Sequence, residues 1–127
     1  MFDDTLLAEA SVKIPQLHQK YVTLLSEYLL LKKKKEQELK GLQHRRFLYY
    51  AGKAQPEEYE DQPFNYKLMK SEIPSWVEVD EMIQKVDLKL EYYCVTIRCL
   101  EDILKQIHQM SFNIKNMIEW RRFVHGT

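Results

Sequence analysis

Little in this 127-residue chain suits it to covalent chemistry or to a β fold. It has three glycines, four prolines and two cysteines. No glycine-rich loop is present to cradle a phosphate, and no histidine or cysteine arrangement matches an activated nucleophile. None of His18, His44, His108 and His125 has a second ligand at metal spacing, so neither a metal nor another cofactor is expected. Cys94 and Cys99 lie five residues apart, which spreads them around a helix and argues against a disulfide; reduced thiols in a cytosolic protein are the expectation. No apolar run approaches a membrane span, and the acidic opening MFDDTLLAEA has no secretion-signal pattern. Net charge is absent as well: 19 basic and 19 acidic side chains cancel, so any attraction for nucleic acid must come from local clustering. Strand-like alternation of useful length is also missing.

What the chain does have is helical periodicity. Trp76, Val79, Ile83, Val86, Leu90, Tyr93, Ile97, Leu100, Leu104 and Ile107 follow one another in strictly alternating steps of three and four. That 3.5-residue spacing is the seam of a helix packed lengthwise on another. A second stripe, Leu88, Tyr92, Val95 and Cys99, lies two positions on, roughly 200° around the helix. One partner helix covers one face only, so the remaining cover is expected from other copies of the chain.

In chain order, residues 1–11 predict a short turn capped by Asp3 or Asp4. A long helix follows from about Ile14, with Pro15 in its first turn and a seam of Ile14, Leu17, Tyr21, Leu24, Tyr28 and Leu31. Continuing that phase reaches Lys35 and Glu38, so the second half of the helix is expected to leave the core as a solvated arm. Gly52 ends it. Residues 52–75 hold Pro56, Pro63, Pro74 and the acidic run EEYED, and read as a linker. Ser75 with Glu78 reads as a capping box that starts the seam helix at Trp76. Ser111 marks a new cap or kink before a final amphipathic helix. The chain thus reads as one all-α domain: an arm over 1–51, a linker over 52–75, and assembly helices over 76–127.

Chemistry concentrates in residues 32–53. Lys32, Lys33, Lys34, Lys35, Lys40, Arg45, Arg46 and Lys53 stand against Glu36 and Glu38: eight minus two, a local charge of plus six. His44, Phe47, Tyr49 and Tyr50 lie among them. Cations neutralise phosphates and neighbouring rings stack on unpaired bases, a combination suited to single-stranded rather than duplex nucleic acid. The bland alternative is a solvated helix whose tyrosines pack under the linker. A membrane surface fits poorly, because the charges encircle the helix with no opposing apolar face.

The succession His44-Arg45-Arg46-Phe47-Leu48-Tyr49-Tyr50-Ala51-Gly52, then Lys70-Ser71-Glu72, then Lys85-Val86-Asp87 with Tyr92, then Ile114-Lys115, resembles the UvsY family of bacteriophage recombination mediators. The likeness covers about residues 42–120. It implies a non-enzymatic protein in the cytoplasm of an infected bacterium that acts in recombination, repair and replication. Such a protein binds single-stranded DNA, destabilises single-strand-binding protein on it, and helps load a RecA-like recombinase. It implies assembly into a closed ring of six or seven copies through the carboxy-terminal part. In the family's DNA-contacting motif a lysine and an arginine stand two apart before the paired tyrosines. Arg46 matches the arginine, whereas His44 departs from the lysine.

The expected DNA-binding set is therefore Lys32, Lys33, Lys34, Lys35, Lys40, His44, Arg45, Arg46, Tyr49, Tyr50 and Lys53. The expected subunit contacts are Val86, Leu90, Tyr93, Ile97, Leu100 and Leu104, with Leu88, Tyr92 and Val95 on the second stripe. The rival class is a coiled-coil scaffold that binds protein partners without nucleic acid.

Overall fold

The computed structural model describes residues 4–126, which form four helices and no strand. They are α1 (Asp4–Tyr50), α2 (Pro56–Asp61), α3 (Ile73–Glu78) and α4 (Glu81–His125). The chain divides into two compact units. The first comprises the chain up to Leu29 with the chain from Val95 onward, and the second is Leu30–Cys94.

α1 keeps a seven-residue repeat along its whole length: Leu7, Ile14, Tyr21, Tyr28, Lys35, Leu42 and Tyr49 are all buried or half-buried. Sevens on a 3.6-residue helix keep one stripe facing a neighbouring helix. The expectation that apolar packing ends at Leu31 is therefore corrected. The stripe is interrupted by Lys35 and resumes at Leu42 and Tyr49, both in the core. Lys35 tolerates its place because its ammonium group reaches out to Glu38, 2.9 Å away.

In the first unit, Leu7, Ala8 and Ser11 of α1 share a groove with Ile118, Arg122 and His125 of α4, while Ile14 and Pro15 lie beside Ile114 and Lys115. The two stretches run antiparallel. α1 also passes through Pro15 without a new start, which corrects the separate amino-terminal turn; Asp3 lies outside the described residues. Proline removes only the bond to the Ser11 carbonyl, on an exposed turn, while Ile14 beside it stays buried. Likewise α4 runs through Ser111 unbroken. No proline or glycine interrupts it, Gln109 bonds Asn113 across the serine, and Ile107, Ile114 and Ile118 hold that stretch inward.

In the second unit, Leu39, Gln43 and Phe47 line a groove with Ile83 and Asp87, again antiparallel. α1 ends at Gly52, whose φ of 76° suits glycine. Lys53 N–H donates to the Leu48 carbonyl at 2.9 Å and Gly52 N–H to the Tyr49 carbonyl at 3.2 Å, the paired bonds of a Schellman motif. The stretch read as a linker contains α2 and the start of α3. Ser75 is not the cap of the seam helix: it lies inside α3, and its hydroxyl donates to the carbonyl of Glu72, the residue before that helix. The cap is Asp80, whose Oδ1 accepts the N–H groups of Met82 (2.9 Å) and Ile83 (3.2 Å). Trp76 and Val79 thus precede the seam, which begins at Ile83.

Candidate nucleic-acid interface

The second half of α1 sorts its cations by face. At 100° per residue, Lys33, Lys40 and His44 fall within about 40° of one another, and Lys34 and Arg45 lie about 100° to one side. All five are exposed. Leu42, Arg46 and Tyr49 occupy the opposite side, where Leu42 and Tyr49 are buried. Lys35 is half-buried within that packed side and Lys32 half-buried at its edge, and Lys53 is exposed beyond the helix end.

Arg46 is already engaged. Its Nε donates to Asp80 Oδ2 at 2.8 Å, and the two side chains retain only 11% and 3% of their exposure. The guanidinium lies 4.1 Å from the centroid of the Tyr49 ring and 5.3 Å from that of Tyr50. Tyr50 Oη donates to the same carboxylate oxygen at 2.6 Å. Asp80 therefore receives a guanidinium, a phenol and two backbone amides. Partial burial works against its charge, but the bonds from Tyr50, Arg46 and the Ile83 amide outweigh it and hold the carboxyl below its ordinary range. Burial similarly opposes the Arg46 charge and is outweighed by Tyr50 and Asp80, which hold the group above its ordinary range. Burial and donation to Asp80 push the Tyr50 phenol up.

Tyr49 is enclosed on several sides. Its hydroxyl donates to the Gln62 carbonyl at 2.6 Å, and its own carbonyl accepts from Tyr59 Oη at 2.7 Å. Tyr59 stacks on it at 5.2 Å between ring centroids, with Tyr50 edge-on at 5.2 Å and Phe64 at 5.5 Å. The expectation that Tyr49 offers a surface to a base is corrected: the ring is an interior one that ties α1 to the α2 region.

Sequence reasoning missed Asp80, Tyr59, Gln62 and Phe64. An aspartate just before a helical repeat is an N-cap signal and could have been noticed. Its pairing with Arg46, 34 residues away, has no local signal.

The assembly expectation divides in two. Ile97 and Leu100 are buried, and Val86, Leu90, Tyr93 and Leu104 half-buried, within a single protomer, so this seam is an intrachain one. Leu88, Tyr92 and Val95 are exposed, Leu88 at 74%. Among the described residues no group of three or more metal-ligating side chains occurs, and no helix is long and apolar enough to cross a membrane.

Three comparisons bear on these features. The family described as "Recombination, repair and ssDNA binding protein UvsY" matches residues 1–127. The crystal structure of the bacteriophage T4 recombination mediator protein UvsY superposes with a TM-score of 0.79 at 22% identity, covering 97% of this chain and 89% of that one. No curated protein sequence matches. The solved structure is similar in its all-helical fold, and the family match spans every element described above: the chain belongs to the UvsY family of recombination, repair and single-stranded-DNA-binding proteins.

Proposed function

We propose that this chain is a non-enzymatic recombination mediator that binds single-stranded DNA along the outer face of α1, with Lys33, Lys34, Lys40 and Arg45 as the phosphate ligands. The observation that carries this reading is the exposed cationic face opposite the buried Leu42–Tyr49 side. From residue 33 to 45 it spans about 18 Å. That is room for at most about five phosphates at 3.4 Å or more apart. His44 lies on the same stripe. Arg46, Tyr49 and Tyr50 act as a scaffold that keeps the helix end in place.

A few solvated cations on one protomer bind weakly. The exposed stripe of Leu88, Tyr92 and Val95 supports assembly with further copies, as a ring. Several arms then share one strand, which raises the effective concentration of each next site. A strand held along such arms disfavours the wrapped geometry of single-strand-binding protein and leaves stretches open to a RecA-like recombinase. Differential binding alone drives this exchange, without nucleotide hydrolysis.

Fluorescence anisotropy with a labelled oligothymidylate over a salt series tests the assignment. Each phosphate neutralised contributes about 0.7 to the slope of log affinity against log salt. Lys33→Ala, Lys34→Ala, Lys40→Ala and Arg45→Ala together should flatten the slope by that amount for every phosphate ligand removed, at unchanged oligomer mass. An unaltered slope would remove α1 from the interface.

A further inference from the structure

An open groove in the Leu30–Cys94 unit is lined by a continuous series of rings. From Tyr50 it passes to Phe64 (centroids 5.2 Å apart) and Trp76 (5.8 Å), and Phe64 and Trp76 are 5.5 Å from each other. Tyr66 closes the series, 5.6 Å from both Phe64 and Trp76. Exposure rises outward along it, from buried Tyr49 beneath the inner end to Tyr66, which is 68% exposed. The inner end has a complete chemical pattern: a cation (Arg46) lies over aromatic faces and is neutralised by a carboxylate (Asp80). The groove holds further copies of two of these three parts. Besides the rings of Tyr66 and Trp76, the exposed residues Asp61 and Glu81 line the same groove, and Arg46, already paired with Asp80, is the one cation among its described lining residues.

We propose that this groove is a docking site for an arginine side chain carried by a protein partner, held over Tyr66 and Trp76 and neutralised by Asp61 and Glu81. A guanidinium is planar, weakly hydrated and always charged, so it gains from the ring faces and from the carboxylates at once. A DNA phosphate would meet two negative groups here, and the nearest arginine is already committed to Asp80. Charge thus separates this groove from the cationic face of α1: the first selects a basic protein segment, the second a polyanion.

The chain has two tryptophans, so Trp120→Phe leaves Trp76 as the sole indole reporter in the full-length protein. The probe is a blocked Gly-Arg-Gly-Arg-Gly peptide, compared with a Gly-Gln-Gly-Gln-Gly control and with an eight-residue oligothymidylate. Trp76 emission should respond saturably to the arginine peptide and not to the control, with affinity falling as salt rises. Tyr66→Ala should weaken that binding roughly fivefold, and Tyr66→Phe should restore it, because the ring face is what the cation meets. Asp61→Asn with Glu81→Gln should weaken it further and remove most of the salt dependence. Oligothymidylate affinity should be the same in all these variants, so this result stands apart from the test of the α1 face. Three outcomes would each overturn the proposal: a Trp76 response to oligothymidylate but not to the peptide, peptide binding untouched by Tyr66→Ala, or a Trp76 change that tracks protein concentration and requires Arg45 of a second copy.

Discussion

The two units are built from the same pair of helices and held by different forces. In the unit that contains Leu7, Ile14, Ile97, Leu100 and Ile107, the buried side chains among the described residues are all aliphatic, and those residues belong to α1 and α4. The Leu30–Cys94 unit has an aliphatic core too, in Leu42, Ile73 and Ile83. It adds α2 and α3 and a polar centre in which one carboxylate serves an arginine, a tyrosine and a helix start. The difference is instructive. Apolar stripes bring two helices together, but a one-heptad slip leaves an apolar residue facing an apolar residue. A charge-assisted bond between Arg46 and Asp80 exists in one register only, so it specifies alignment at the end of α1.

The comparison breaks most visibly at Asp80. Asp80→Ala removes the cap, the ion pair and the Tyr50 acceptor together, and leaves Arg46 partly buried without its partner; it should cost about 3–5 kcal/mol in urea unfolding. Asp80→Asn keeps an amide-capped helix start and should cost less, which separates the cap from the charge. In the other unit, Ile107→Ala should cost about 2–4 kcal/mol through reduced burial and the cavity left behind. Hydrogen exchange distinguishes the two: the Asp80 variants should lose protection in residues 43–62 and 80–90, the Ile107 variant in the chain beyond Val95.

A smaller and reversible contrast comes from acid. The Asp80 carboxyl is held below its ordinary value of 3.8, so the folded state favours its ionised form. Its stabilisation is complete above that value and drains away as pH falls through the lower folded one. Thermal melts between pH 6 and pH 2 should therefore show a steeper acid loss in the parent chain than in Asp80→Asn. The smallest effect on the protomer itself belongs to Leu88→Asp, within about 0.5 kcal/mol of neutral because the side chain is exposed. Its consequence should appear in sedimentation, as loss of the assembled species.

Much of the fold could be read along the chain. The alternating threes and fours locate both long helices, and Gly52 ends α1 where a left-handed residue is required. The stripe of Leu88, Tyr92 and Val95 emerges on the uncovered side of α4, as its phase predicts. The sequence reading failed where a local signal competed with a distant partner. Pro15 and Ser111 look like boundaries, but the isoleucines beside them are held inward and the helices continue. Ser75 and Glu78 match a capping box, but Asp80 provides the cap. The basic segment was legible as a cluster, whereas its division into displayed and engaged cations was not.

The sequence by itself determined that this chain is helical, that its helices pair lengthwise, and that positive charge gathers near the end of the first. Those properties follow from residue spacing and propensity, which act over a turn or two. Only the tertiary structure decided that Arg46 and Tyr49 face inward while Lys33, Lys40 and Arg45 face water. That choice depends on a carboxylate 34 residues from Arg46 and on rings contributed by α2 and the segment after it. Their proximity exists only once the chain has folded back on itself.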